Sequence, residues 1–276
     1  MGRIPANVGK ETAMNKTAQL KFLPNICVPI KNDGTLVLSC DDIEFHVQEF
    51  LKSHGPDYGY DLAIPQATPI EEIIEGMGLT VQYAYFADPQ ILGMNLFGRG
   101  RVKIRIQGQV KEIVYDAGTI IISGELEENS PVGRLNFTLA HEFGHSFYHE
   151  EYFNPHSENY ELDFGEGFSC DLKASSCKRS IVGEYFGRPL NSDLDWVEWQ
   201  ADYFASCLLM PKDSVRVFMQ KFFPDTKVLF GQVAREFPLS RCAEMQKQKI
   251  FDEFEKTYRV SHQAAVIRLR KLNYLK

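Results

Sequence analysis

The chain has 276 residues, of which 44% are hydrophobic and 24% charged, proportions ordinary for a soluble globular protein with a real apolar core. Its net charge of −7 argues against a general nucleic-acid binder, which must meet phosphates with clustered Lys and Arg. No apolar run approaches the roughly 20 residues of a membrane span, and the first residues, MGRIPANVGKETAMNKT, contain no apolar signal-peptide stretch, so a cytoplasmic protein is expected.

In such a compartment the six cysteines are expected as thiols. There is no CxxC pair, and the spacing in CDLKASSC (Cys170 to Cys177) is too long for a usual zinc knuckle.

Residues 1–40 are mixed, with PNICVPIKNDG reading as loop or short strand. DDIEFHVQEFLKSH (Asp41–His54) carries Ile43, Val47, Phe50 and Leu51 at helical spacing, with Phe45 off that stripe and Asp41 or Asp42 available as N-cap. TPIEEIIEGMGL (Thr68–Leu79) predicts a second helix, capped by Thr68 with Pro69 at its first position. LTVQYAYF, RVKIRIQ, EIVYD and GTIIIS follow as β-rich runs separated by Gly-containing turns. They suggest a small, mostly antiparallel sheet, and therefore an α+β fold.

A helix is predicted from about Gly133. Residues 150–195 then read as a long, aromatic, loop-like connection, and connections of that length are usually functional or mobile. Helical character returns at Trp196 and runs to Pro211, and PKDSVRVFMQKFF, VLFGQVAREF and RCAEMQKQKIFDEFEKTY read as further helices.

The helix near Gly133 contains HEFGH. On a helix, residues i and i+4 lie about 40° apart and one turn up, so His141 and His145 can both reach one ion. Imidazole suits Zn²⁺. Glu142 projects at a neighbouring angle, where it can hold the water that the metal activates and take its proton as general base. Leu139, Phe143 and Phe147 recur at i, i+4 and i+8. They would bury one face and hold the histidines rigidly.

Catalytic zinc usually takes three protein ligands. His149 continues the spacing, but on a straight helix it lies about 12 Å along the axis from His141. No Gly or Pro from Ser146 to Tyr148 would bend the helix. His149 is therefore expected to be a polar group on the last turn, where a cationic imidazole is favourable. EWQAD (Glu198–Asp202) offers a better donor. Glu198 and Asp202 share one helix face. Glu198 can bind zinc, and Asp202 can accept the outer N–H of a ligating histidine. By spacing alone, an ordinary exposed acidic pair fits equally well.

RLNFTLAHEFGHSFYH (Arg134–His149) followed by EWQADYFASCLLMP (Glu198–Pro211) resembles the two motif helices of the ImmA/IrrE family of zinc-dependent metallo-endopeptidases. The resemblance spans roughly residues 61–276 and leaves 1–40 and 150–195 uncovered. It implies a zincin-like core over 61–212 with a twisted sheet, after an N-terminal extension (1–60) and before a C-terminal helical, helix-turn-helix-like part (213–276).

By the same resemblance His141, His145 and Glu198 are zinc ligands, Glu142 is the catalytic glutamate and Asp202 supports a ligand. It also implies a sheet edge beside the zinc where substrate adds as a strand, for which GTIIIS is the candidate. The substrate it implies is a regulatory protein, a helix-turn-helix repressor, cut at a limited site. An oxyanion stabiliser is needed besides zinc, and Tyr148, Tyr152 and Tyr203 are available.

VSHQAAVIRLRKL (Val260–Leu272) also resembles a helix-turn-helix element, with Arg268, Arg270 and Lys271 locally basic. Packing on the core through Ala264, Ala265, Ile267 and Leu269 is favoured over DNA contact, because the whole chain is acidic and the basic cluster small. The competing functional reading is a metal-bearing regulator that binds a repressor or DNA without cleaving.

Overall fold

A computed structural model of the chain describes residues 16–153, 174–178, 190–229 and 231–276. In chain order it shows a hairpin, β1 (Thr17–Leu20) and β2 (Leu23–Pro29), then helix α1 (Cys40–His54) and helix α2 (Ile70–Gly76). Strands β3 (Thr80–Ala84), β4 (Ile91–Leu96), β5 (Gly100–Ile106), β6 (Gln109–Tyr115) and β7 (Thr119–Ser123) follow. Next come α3 (Gly124–Asn129), α4 (Val132–Tyr148), α5 (Glu150–Phe153), β8 (Ala174–Lys178) and α6 (Asp193–Leu209). The C-terminal elements are α7 (Lys212–Gln220), β9 (Val228–Leu229), β10 (Gln232–Val233), α8 (Glu244–Tyr258) and α9 (His262–Lys271). The fold is α+β.

The main sheet has the order β3-β7-β4-β8. β3 pairs parallel to β7, and the two other pairings are antiparallel. GTIIIS, expected at the edge, is therefore interior, with a strand on each side of β7 and all five of its residues buried. The physical reason is in the run itself: three consecutive isoleucines put apolar side chains on both faces, and only a covered strand can bury both. β5 and β6 form a separate hairpin closed by Gln107 and Gly108. Both of these residues have positive φ (50° and 78°), the backbone of a two-residue turn that matches strand twist.

Three further expectations change. The N-cap of α1 is Ser39, whose hydroxyl accepts from the Asp42 amide while Asp42 accepts from the Ser39 amide. Asp42 thus closes a capping box from inside the helix. Thr68 does not cap α2, because its hydroxyl donates to the Leu208 carbonyl (2.8 Å) at the end of α6. VLFGQVAREF is not a helix. β9 and β10 fold back on each other there, and Gly231, Arg235 and Phe237 take φ of 79°, 55° and 45°, which a right-handed helix does not permit.

α4 lies against the sheet on one side and against α6 on the other. Its Phe143 meets Phe22, Phe50 and Phe204 at centroid distances of 5.4, 5.7 and 5.8 Å. One buried cluster runs from Leu20 to Leu275 and so draws on all three segments of the sequence. Arg268 of α9 is wholly buried inside it. Both guanidinium Nη atoms meet the Glu44 carboxylate of α1, Nη2 at 3.0 Å, and Nε donates to the Met210 carbonyl (2.8 Å). A charge-assisted bidentate pair thus ties the last helix to the first. Of the other basic residues of α9, Lys271 lies over the Tyr203 ring (5.8 Å) and Arg270 donates to the Lys276 carbonyl (3.1 Å).

Candidate metal centre

α4 turns His141, Gly144 and His145 of HEFGH toward α6. The glycine inside this motif, Gly144, is unfavourable in a helix by about 1 kcal/mol relative to Ala. Its place is explained by packing: a Cβ there would lie 3.0 Å from Phe204 Cδ1 and 3.2 Å from Ala201 Cα. The missing side chain lets α6 approach closely enough to deliver Glu198. α6 itself begins at Asp193, earlier than the expected Trp196. Ser192 and Asp195 form a capping box there that fixes where the helix starts and hence which face Glu198 occupies.

Among the described residues, His141, His145 and Glu198 form a buried group whose ligand atoms all lie within 4.8 Å of one another. The two Nε2 atoms are 3.0 Å apart, and Glu198 oxygens stand 3.3 Å from His141 Nε2 and 3.5 Å from His145 Nε2. Donors 2.0–2.1 Å from a tetrahedral ion lie about 3.3–3.4 Å from one another. The spacing therefore fits one small cation.

Hydrogen bonds behind the ligands decide which ring nitrogens carry protons. The Leu36 carbonyl can only accept, so it takes the Gln200 amide N–H (2.8 Å). Gln200 Oε1 then faces His149 Nε2 (2.9 Å) and must receive a proton from it. His149 is fully buried, and burial beside His145 pushes its pKa down to about 3, so the ring is neutral. Its Nδ1 is then an acceptor, and His145 Nδ1–H donates to it (3.0 Å). On the other side His141 Nδ1–H donates to Asp202 Oδ1 (2.9 Å). With Nδ1 of both rings so engaged, each neutral ring would turn the lone pair of Nε2 toward Glu198.

The electrostatics agree. Burial pushes the Glu198 carboxyl up, but the two histidines draw it back well below the ordinary carboxylate range, so it is ionised. Burial lowers His145. Burial also lowers His141, yet its contacts with Asp202 and Glu198 outweigh it and raise this imidazole, so its Nε2 carries a proton that a metal ion would displace. Such a centre calls for one positive charge among its three donors, supplied by a proton or by a metal ion. Glu198 Oε2 is buried and makes no hydrogen bond, which an ionised carboxylate tolerates when a cation takes its place.

Glu142 stands beside this centre, fully buried, with Oε2 accepting from Ser175 Oγ (3.2 Å) and its backbone carbonyl accepting from Asn95 Nδ2 (2.9 Å). Strand β4 passes directly over it: a Cβ on Gly93 would lie 2.9 Å from Glu142 Cγ and 2.7 Å from Thr138 Cγ2.

The structure thus brings His141, His145, Glu198, Glu142 and Asp202 together. It leaves His149 out of the ligand set and corrects its expected cationic cap to a neutral, buried partner of His145. Two of the three candidate oxyanion phenols are engaged with α1: Tyr148 with His46 Nδ1 (3.2 Å) and Tyr203 with Glu44 (3.2 Å). Tyr152 is buried against Phe153, with ring centroids 5.0 Å apart. Sequence reasoning missed Gln200, Asn95, Gly93 and Ser175. For Gln200 a signal existed, since it lies between Glu198 and Asp202 on the same helix.

No family model, no curated protein and no solved structure matches the chain. No described helix is long and apolar enough to cross a membrane.

Proposed function

We propose that the chain is a zinc-dependent endopeptidase with a zincin-like active site, in which His141, His145 and Glu198 hold the metal and Glu142 is the general base. The observation that carries this reading is the convergence of two imidazole Nε2 atoms and one buried carboxylate, with a second carboxylate, Glu142, beside them on the helix of the histidines. Zinc held by three such ligands would lower the pKa of a water at its open position toward about 7 and polarise the scissile carbonyl.

With zinc bound, Glu142 would be the group placed to take a proton from that water and pass it to the leaving amine. Asp202 and the His149–Gln200 pair hold the two ligand rings in the tautomer the metal needs. β4 runs over Glu142, so an extended peptide lying along this strand would bring its carbonyl to the centre. By the resemblance of its motif helices, the substrate is a regulatory protein, a helix-turn-helix repressor, and the proteolysis is limited.

Glu142→Gln tests the reading against a regulator that carries metal without cleaving. The variant should keep its zinc and lose all cleavage of a co-expressed repressor. If it regulates in cells as well as the unmodified chain does, the peptidase reading fails.

A further inference from the structure

The two edges of β4 are filled differently. One is covered by β7, the other by β8, a five-residue strand from the long segment between α5 and α6. β8 lies antiparallel to β4, with Leu96 opposite Ala174, Asn95 opposite Ser175 and Gly93 opposite Cys177. Asn95 and Gly93 are the β4 residues that touch Glu142. β8 therefore occupies the stretch of edge that lies over the general base, and Ser175 Oγ reaches 3.2 Å from the Glu142 carboxylate. Ala174 and Ser175 are each 1% exposed, and His141, Glu142 and His145 are 0% exposed. With β8 seated, a peptide finds no free backbone edge on β4 along the stretch over Glu142.

The sequence of β8, ASSCK, contains no β-branched or aromatic residue, the types that stabilise strands. Among the described residues its hold on the sheet includes one backbone ladder, the bond from buried Ser175 to Glu142 and the burial of Ala174 in a small second core cluster. That is the manner in which an extended peptide adds to a sheet edge, through main-chain hydrogen bonds with shallow side-chain contacts. Because β8 is tethered, it competes at an effective concentration on the order of millimolar.

Resting on the peptidase reading, we propose that residues 174–178 are a built-in competitor for the substrate edge. The strand holds the enzyme closed through its ladder to β4 and the Ser175–Glu142 bond, and substrate adds to β4, in the same antiparallel sense, when β8 leaves.

Two measurements on the zinc-loaded full chain test this. In the unmodified protein, backbone amides of β8 and their β4 partners should exchange with solvent about 100-fold faster than those of β7, through an opening that leaves the rest folded. Protection of β8 equal to that of β7 would overturn the proposal. In the double variant Ser176→Pro with Cys177→Pro, which removes the amide facing β4 whichever of the two neighbouring residues carries it, a capped fluorescent ASSCK peptide should bind at least about 10-fold more tightly than to the unmodified chain, where the tethered strand outcompetes it. Equal binding to both folded proteins would also overturn it. Peptide binding to the double variant with no cleavage of any substrate would leave β8 as the occupant of this edge and reject the peptidase reading alone. Should the double variant not fold, β8 is required by the fold and the proposal is overturned.

Discussion

The two neighbours of β4 differ in kind. β7 has three isoleucines at its centre and is buried on both faces and paired on both edges; β8 is made of small residues and, among the described residues, is paired along one edge. One flank of the same strand is core, and the other covers the buried Glu142 carboxylate. The contrast teaches that position in a sheet does not set a strand's role. What its side chains bury decides whether it holds the fold up or can leave.

Predictions on the two flanks should diverge. The largest loss is expected at the clamp beneath the core side, where Glu44→Ala leaves the Arg268 guanidinium buried without its partner and should cost about 3–5 kcal/mol in denaturant unfolding. The pH dependence follows from the same pair. Burial pushes the Glu44 carboxyl up but Arg268 pulls it below its ordinary 4.5. The pair's stabilisation is therefore fully present above about pH 4.5 and fades as the pH falls through the depressed value. An acid titration of stability should show this slope in the unmodified chain and not in Glu44→Gln.

Ile121→Ala, in the middle of β7, should cost about 2–5 kcal/mol, and an unchanged melting midpoint would contradict the role given to this strand. His149→Phe keeps the ring volume but removes the acceptor for His145 Nδ1–H. Zinc affinity, measured by competition with a chelating dye, should fall about 10–100-fold while the fold persists. Gly93→Ala forces a methyl against Thr138 and Glu142 and should cost about 1–3 kcal/mol, with cleavage reduced further than stability because Glu142 is displaced. Ser175→Ala, on the other flank, should change global stability by no more than about 1 kcal/mol. A loss as large as that of Ile121→Ala would erase the distinction between the flanks.

What could be read in the sequence was local. The period of Leu139, Phe143 and Phe147 and the spacing of His141 and His145 belong to one helix, and helical geometry turns spacing directly into position. The Glu198–Asp202 pair is legible for the same reason, although its approach to α4 depends on Gly144, whose value shows only once Phe204 and Ala201 are in place.

Strand order was not legible, because neighbours in a sheet are set by contacts distant in sequence. GTIIIS carries the mark of an interior strand in its unbroken apolar run, and β4, ILGMNL, is hidden by the glycine that lets it pass over Glu142. β8 itself, ASSCK, has no strand-forming residues, and the relay from Leu36 through Gln200 and His149 to His145 joins three separate parts of the chain. The helix expected over VLFGQVAREF fails for a local reason that the residues do contain: Gly231 reverses the chain there, at a φ of 79°.

The most direct test of the account is the zinc content of the purified full chain beside that of Glu198→Ala, both checked for folding by circular dichroism. The account predicts about one zinc per unmodified chain, as a three-ligand site requires, and a near-complete loss in the variant. Equal zinc in the two proteins, or none in the unmodified chain, would contradict it.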